Sequence, residues 1–123
     1  MTSSTDYPAE WLRGMLGPCV LHILSREPTY GYAIIGALEA AGLGDIKGGT
    51  LYPLLTRYET RGLVQTEWRA GESGPGRKYF ALTDTGRAEL AHTAQQWNYF
   101  SNKVGALLAD PHHEPSRREK EAP

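Results

Sequence analysis

The sequence predicts a mainly α fold with a small β-hairpin, followed by one long helix. Three stretches carry that prediction. Leu51, Leu54, Leu55 and Tyr58 recur at i, i+3, i+4 and i+7, so 47–63 is a short amphipathic helix with a glycine entry and a glycine exit. Residues 63–69 and 77–83 alternate in strand fashion around the turn cluster AGESGPG. Leu90, Ala94, Trp97, Ser101, Val104 and Leu108 then follow a repeat of four and three residues, the seam of a helix that pairs with another helix. The resulting division is a loose arm at 1–8, a winged helix-turn-helix at 9–82, a dimerisation helix at 83–109 and a disordered tail at 110–123.

In chain order, the polar arm before Pro8 is either disordered or long enough to reach a partner's backbone. Residues 9–27 predict a first helix with an apolar face of Leu12, Leu16, Cys19, Val20, Ile23 and Leu24. Gly17-Pro18 falls mid-helix, where proline removes a hydrogen bond, and predicts a kink or restart there. Thr29 is an N-cap type for a second helix from Tyr30 to about Ala41, with Tyr32, Ile35 and Leu38 pointing inward and Gly42 at its end. Gly31 in the first turn requires a close neighbour, either a phosphate or another helix. The central helix follows, its start placed near Thr50 because Pro53 is tolerated only in a first turn.

A helix-turn-helix followed by a hairpin has the order of a winged helix. The central helix then has a second face, with Thr50, Pro53, Arg57 and Arg61, suited to a groove and a phosphate backbone. The alternative is an ordinary core helix. Arg77 and Lys78 at the base of the return strand are phosphate contacts or a solvated strand face. Thr83 predicts the N-cap of the last helix and Asp84 a favourable first-turn charge.

Charge is distributed in a way that agrees. The 123 residues carry 13 basic and 14 acidic side chains, a net charge of −1. Residues 47–87 nevertheless hold seven basic and four acidic residues, whereas 1–46 hold two and five. The positive field is therefore central.

Cys19 is the only cysteine, so neither an intrachain disulfide nor a multi-cysteine metal site is available, and its helical setting predicts a buried, inert thiol. His112 and His113 are adjacent and lack ligand-pair spacing. There is no leader-like start, no segment apolar enough to span a bilayer, no phosphate-binding glycine loop and no nucleophile–base set. The expectation is a cytoplasmic protein that is not an enzyme and has no cofactor or bound metal.

Four motifs then converge. Thr29-Tyr-Gly-Tyr32, Gly49-Thr-Leu-Tyr-Pro53, the Glu59-x-x-Gly62-Leu63 exit and Gly-Pro-Gly-Arg-Lys-Tyr-Phe-x-Leu-Thr-x-x-Gly at 74–86 resemble, in order and spacing, the PadR family of bacterial transcriptional regulators. The single long last helix resembles the smaller subfamily. Phe80, where a second tyrosine is common, and Gly17-Pro18 are mild departures.

The resemblance implies a homodimeric DNA-binding regulator, typically a repressor, on a near-palindromic double-stranded operator. It implies DNA contacts from Tyr30, Gly31, Thr50, Tyr52, Pro53 and Arg57 and wing contacts from Arg77, Lys78 and Tyr79. Lys47 joins them on charge and location. The dimer interface expected is Leu12 and Met15 with Leu90, Ala94, Trp97, Ser101, Val104 and Leu108. Trp97, with Phe100, Leu12 and Met15, either stacks on a flat hydrophobic or aromatic effector between the subunits or only fills the dimer core. The competing function is a winged-helix dimer that binds a small molecule or a protein without binding DNA.

Overall fold

The computed structural model describes residues 7–71 and 74–111. Expectations for residues 1–6 of the arm, for Glu72 and Ser73 of the turn, and for the tail from 112 onward, with His112 and His113, lie outside them. Helices α1 (Ala9–Arg13) and α2 (Leu16–Arg26) come first. Strand β1 (Thr29–Tyr30), α3 (Gly31–Ala40) and α4 (Gly48–Thr60) follow. A hairpin of β2 (Val64–Gly71) and β3 (Gly74–Leu82) leads into α5 (Asp84–Ala109). Contacts divide the chain into two units, 1–92 and 93–123, and the winged helix-turn-helix lies in the first.

The first unit is built on one apolar core. Leu16, Val20, Leu21 and Leu24 of α2 meet Ile34 and Leu38 of α3 and Leu51, Leu54, Leu55 and Tyr58 of α4, with Leu63 of the following turn and Val64, Phe80 and Leu82 of the sheet closing it. The predicted stripe of the central helix is thus buried residue for residue, two of its members with no accessible surface. Burying a leucine or tyrosine side chain contributes on the order of 2 kcal/mol, so this stripe fixes how α4 is rotated about its axis.

Local expectations were corrected in four places. The first helix breaks at Gly14 and Met15, not at Gly17-Pro18. Pro18 is therefore the third residue of α2, where its missing N–H has no intrahelical acceptor to lose, and the first i to i+4 bond is Cys19 N–H to the Met15 carbonyl at 3.3 Å. Secondly, Thr29 and Tyr30 are not the start of a helix. They pair antiparallel with Phe80 and Tyr79 and make the sheet three-stranded, in the order β1-β3-β2.

In α3 the inward residues are Ile34 and Leu38, while Tyr32 is 78% exposed and Ile35 half-buried. The helix starts one residue later than predicted, and its buried stripe runs through Gly31, Ile34 and Leu38 at i, i+3 and i+7. Finally, α4 begins at Gly48 with Lys47 as N-cap, two residues before Thr50. Pro53 is inside the helix, and its absent N–H forgoes the bond to the Gly49 carbonyl. Both residues are exposed, so water can satisfy that carbonyl.

The ends of α3 and α4 are closed alike. Gly42 and Gly62 have φ of 84° and 78°, a left-handed conformation open to glycine. The next N–H reaches back five residues, Leu43 to Leu38 and Leu63 to Tyr58, at 3.0 and 2.9 Å. At α5, Thr83 Oγ1 accepts from Gly86 N–H at 3.0 Å, the expected N-cap, and donates to the Gly62 carbonyl at 2.6 Å. One hydroxyl thereby joins the exit of α4 to the entry of α5. A Cβ on Gly86 would collide with the Leu63 carbonyl, so glycine lets α5 start against that turn.

Candidate nucleic-acid interface

With Leu51, Leu54, Leu55 and Tyr58 inward, helical geometry leaves Gly49, Thr50, Tyr52, Pro53, Thr56 and Arg57 outside, and all are exposed. The N-terminal turn lies on this open side, where unpaired backbone N–H groups and the positive pole of the helix favour an anion. Lys47, at the cap, is fully exposed and pairs with Asp45 at 2.8 Å, which raises its pKa. That pair is weak in solvent, so the ammonium is available to a phosphate.

Tyr52 has a structural task. Gly31 is buried, and a Cβ built on it would strike the hydroxyl and ring of Tyr52. The close neighbour that Gly31 requires is therefore a side chain of α4. The ring is still 48% exposed, so it both locks α3 to α4 and presents an edge outward.

The sheet organises the second part. In the β2–β3 register Trp68 is opposite Lys78, and Arg69 is opposite Arg77. Alternation then separates the wing residues onto two faces. The face continuous with Val64, Phe80 and Leu82 carries Thr66, Trp68 and Lys78. The other carries Glu67, Arg69, Arg77 and Tyr79, joined by Tyr30 across β1. Arg77 and Lys78, grouped by their adjacency in the sequence, point to opposite sides.

On the outer face the side chains interlock. The Arg77 guanidinium lies 4.3 Å from the Tyr30 ring centroid, and Arg69 lies 4.2 Å from that of Tyr79. The two tyrosines meet edge to face at 5.4 Å. Arg69 also bonds Glu67 at 2.8 Å. Each ring contact contributes about 0.5–1 kcal/mol in solvent and restrains its guanidinium, Arg77 with no carboxylate against it among the described residues and Arg69 with its Nε on Glu67. Arg69 was missed from the sequence. Its signal was available, since a register placing Arg77 opposite it puts both cations on one face.

The chemistry is that of a positive, hydrogen-bonding surface with an exposed helix face beside it. No cluster among the described residues would hold a metal. Cys19 is half-buried, less enclosed than expected, and burial raises its thiol pKa, which disfavours the thiolate. Burial likewise raises the Tyr58 phenol. No described helix is long and apolar enough to cross a membrane.

A sequence profile of the Transcriptional regulator PadR-like family matches residues 20–92, which span the helix-turn-helix and the wing. The chain belongs to this family. It is similar to a PadR family transcriptional regulator from Eggerthella lenta, with 43% identity and a TM-score of 0.74 over 81% of this chain and 87% of that one. A PadR-like transcriptional regulator from Bacillus cereus shares 36% identity and a TM-score of 0.75 over 82% and 98%. Transcriptional regulator YqjI of Escherichia coli K12 is 30% identical over 95 residues, 76% of this chain but 44% of that protein. As a PadR-like protein, the chain is a DNA-binding transcriptional regulator and not an enzyme.

The second unit holds Ala94, Trp97, Phe100, Ser101, Val104 and Leu108, and the first holds Leu12, Met15 and Leu90. Along α5, Trp97 is 43% exposed, Phe100 59%, Val104 37% and Leu108 79%, an unburied apolar stripe. Ala94 is exposed, and Ser101 is half-buried with its hydroxyl turned to the Asn98 carbonyl at 3.4 Å. The Trp97 and Phe100 rings lie 6.2 Å apart at 49°. Leu90 differs, since it packs on the core of the first unit, as does the half-buried Leu12. Met15 is half-buried.

The Gly31–Tyr52 contact gives a direct prediction. Gly31→Ala should lower unfolding stability by about 1–3 kcal/mol, the range for overpacking. In a Tyr52→Ala background the same change should have less than half that effect, read as non-additivity in urea titrations.

Proposed function

We propose that the protein is a homodimeric repressor that reads a near-palindromic operator with α4 and releases it in response to a flat hydrophobic or aromatic effector at the subunit interface. The observation that carries this reading is the exposed face of α4 beside a cation-bearing sheet, with an open apolar stripe on the last helix. Thr50, Pro53 and Arg57 are the base-reading candidates, with the edge of Tyr52. Lys47 and the N-terminal turn of α4 hold phosphate, and Tyr30, Arg77, Lys78 and Tyr79 serve the wing. Gly31 contributes by seating Tyr52, since its burial keeps its own backbone from the duplex.

Dimerisation is supported by the stripe Trp97, Val104 and Leu108, too large a run of exposed apolar side chains to leave in water. Ala94 and Ser101 provide small positions for close helix approach, with Leu12 and Met15 added from the first two helices. A two-fold dimer duplicates α4 and so matches a two-fold operator. Trp97 and Phe100 offer aromatic surface to the effector. Leu12 also lines a groove of about 600 Å³ shared with Leu43, Ile46, Lys47 and Thr50. Whatever displaces Leu12 thus acts beside the start of the reading helix. A cytoplasmic setting, where DNA is accessible, follows from this function.

The test is a gel shift with the DNA upstream of the protein's own gene, repeated with flat aromatic compounds. Release of the shifted band together with quenching of tryptophan fluorescence is expected, and Trp97→Ala should abolish both responses while retaining the shift. Arg57→Ala should weaken operator binding by about 1–3 kcal/mol at matched salt; an unchanged affinity would remove Arg57 from the reading face. Val104→Glu should convert the dimer to monomer in sedimentation and lose operator binding, because a buried unpaired carboxylate opposes association.

A further inference from the structure

The aromatic residues of the sheet are treated unequally. Tyr30 has Arg77 on its ring, Tyr79 has Arg69, and the Lys78 ammonium lies 5.7 Å from the Phe80 ring centroid. Trp68, the largest π surface in the sheet, has neither a cation nor a ring against it among the described residues, and it is 71% exposed. Strand alternation explains its position but not its chemistry. It occupies the same face as Thr66 and Phe80, beyond the point where core residues end. That face is turned toward α4, because the Thr66 hydroxyl donates to Glu59 Oε2 at 3.1 Å. Directly across the ladder stands the exposed Lys78.

We propose that Trp68 is a DNA-contacting residue of the wing, laid against deoxyribose and base edges of the duplex while Lys78 holds the adjoining phosphate. The inference rests on the DNA-binding reading and names the wing residue that gives it apolar contact. The occupant is a duplex because the hairpin that carries Trp68 is cationic on both faces. Lys78 shares the face of Trp68, and Arg69 and Arg77 stand on the opposite face of the same two strands. A polyanion with apolar sugar and base edges matches a tryptophan beside a lysine on a basic hairpin, as in groove contacts that join an apolar side chain to neighbouring basic groups. The two faces of the wing then divide the work. Arg77 and Arg69, held by tyrosines, are fixed charges, and Trp68 with Lys78 makes the contact that depends on groove shape.

The experiment selects an operator from a randomised duplex library with the wild-type dimer and titrates variants against it at several salt concentrations. Trp68→Ala should bind roughly tenfold more weakly, the scale of one lost base-level contact, with an unchanged salt slope. Trp68→Phe should recover most of the loss. Lys78→Ala should instead reduce the salt slope by about one. Thermal melts of each variant within a few degrees of wild type would place these effects in the complex and not in folding. Trp68→Ala binding within twofold of wild type would overturn the role of Trp68 while leaving the DNA-binding reading intact. So would a matching loss of melting temperature that Trp68→Phe fails to restore. A wild-type dimer that enriches no duplex would overturn both.

Discussion

Burial of Leu51, Leu54, Leu55 and Tyr58 is the constraint on which the interface depends. A helix with one fully enclosed stripe has no freedom to roll, so the opposite face is specified by subtraction. Thr50, Pro53 and Arg57 are outward because four larger side chains are inward. Tyr52, at the margin, adds a second restraint by pressing on Gly31, where a Cβ would strike its ring. The outward face is thus held by packing that contributes far more energy than any single outward contact.

The sheet applies a different rule to the same end. Two-residue alternation and the β2–β3 register sort neighbouring cations onto opposite faces. Strand β1 adds Tyr30 to the outer face, and that addition completes the interlocked set of Arg77, Tyr30, Tyr79 and Arg69. Free arginine side chains must lose rotamer freedom on meeting a phosphate. Stacking them on rings settles part of that loss in advance.

The last helix shows the complementary case. Its start is tied into the first unit through Thr83, Gly86 and Leu90, while the later turns leave Trp97, Phe100, Val104 and Leu108 uncovered. An apolar stripe that the chain itself does not bury has the character of half an interface.

The periodic features of this protein were determined by the sequence: the core stripe of α4, the glycine exits at Gly42 and Gly62, the Thr83 cap, the hairpin and the long helix. Each depends on residues within one or two turns or one strand pair, so local spacing carries it. The family was also legible, because its four motifs are short and ordered. Tertiary structure alone decided the rest. A two-residue strand has no pattern to read, and β1 exists only because β3 offers an open edge at Tyr79 and Phe80. Gly31 called for a close neighbour, but that Tyr52 was the neighbour depended on how α3 meets α4. The start of α2 placed Pro18 where it is harmless, and the start of α4 placed Pro53 inside the helix. Both starts are set by which side chains reach the core, a nonlocal condition that no window of sequence contains.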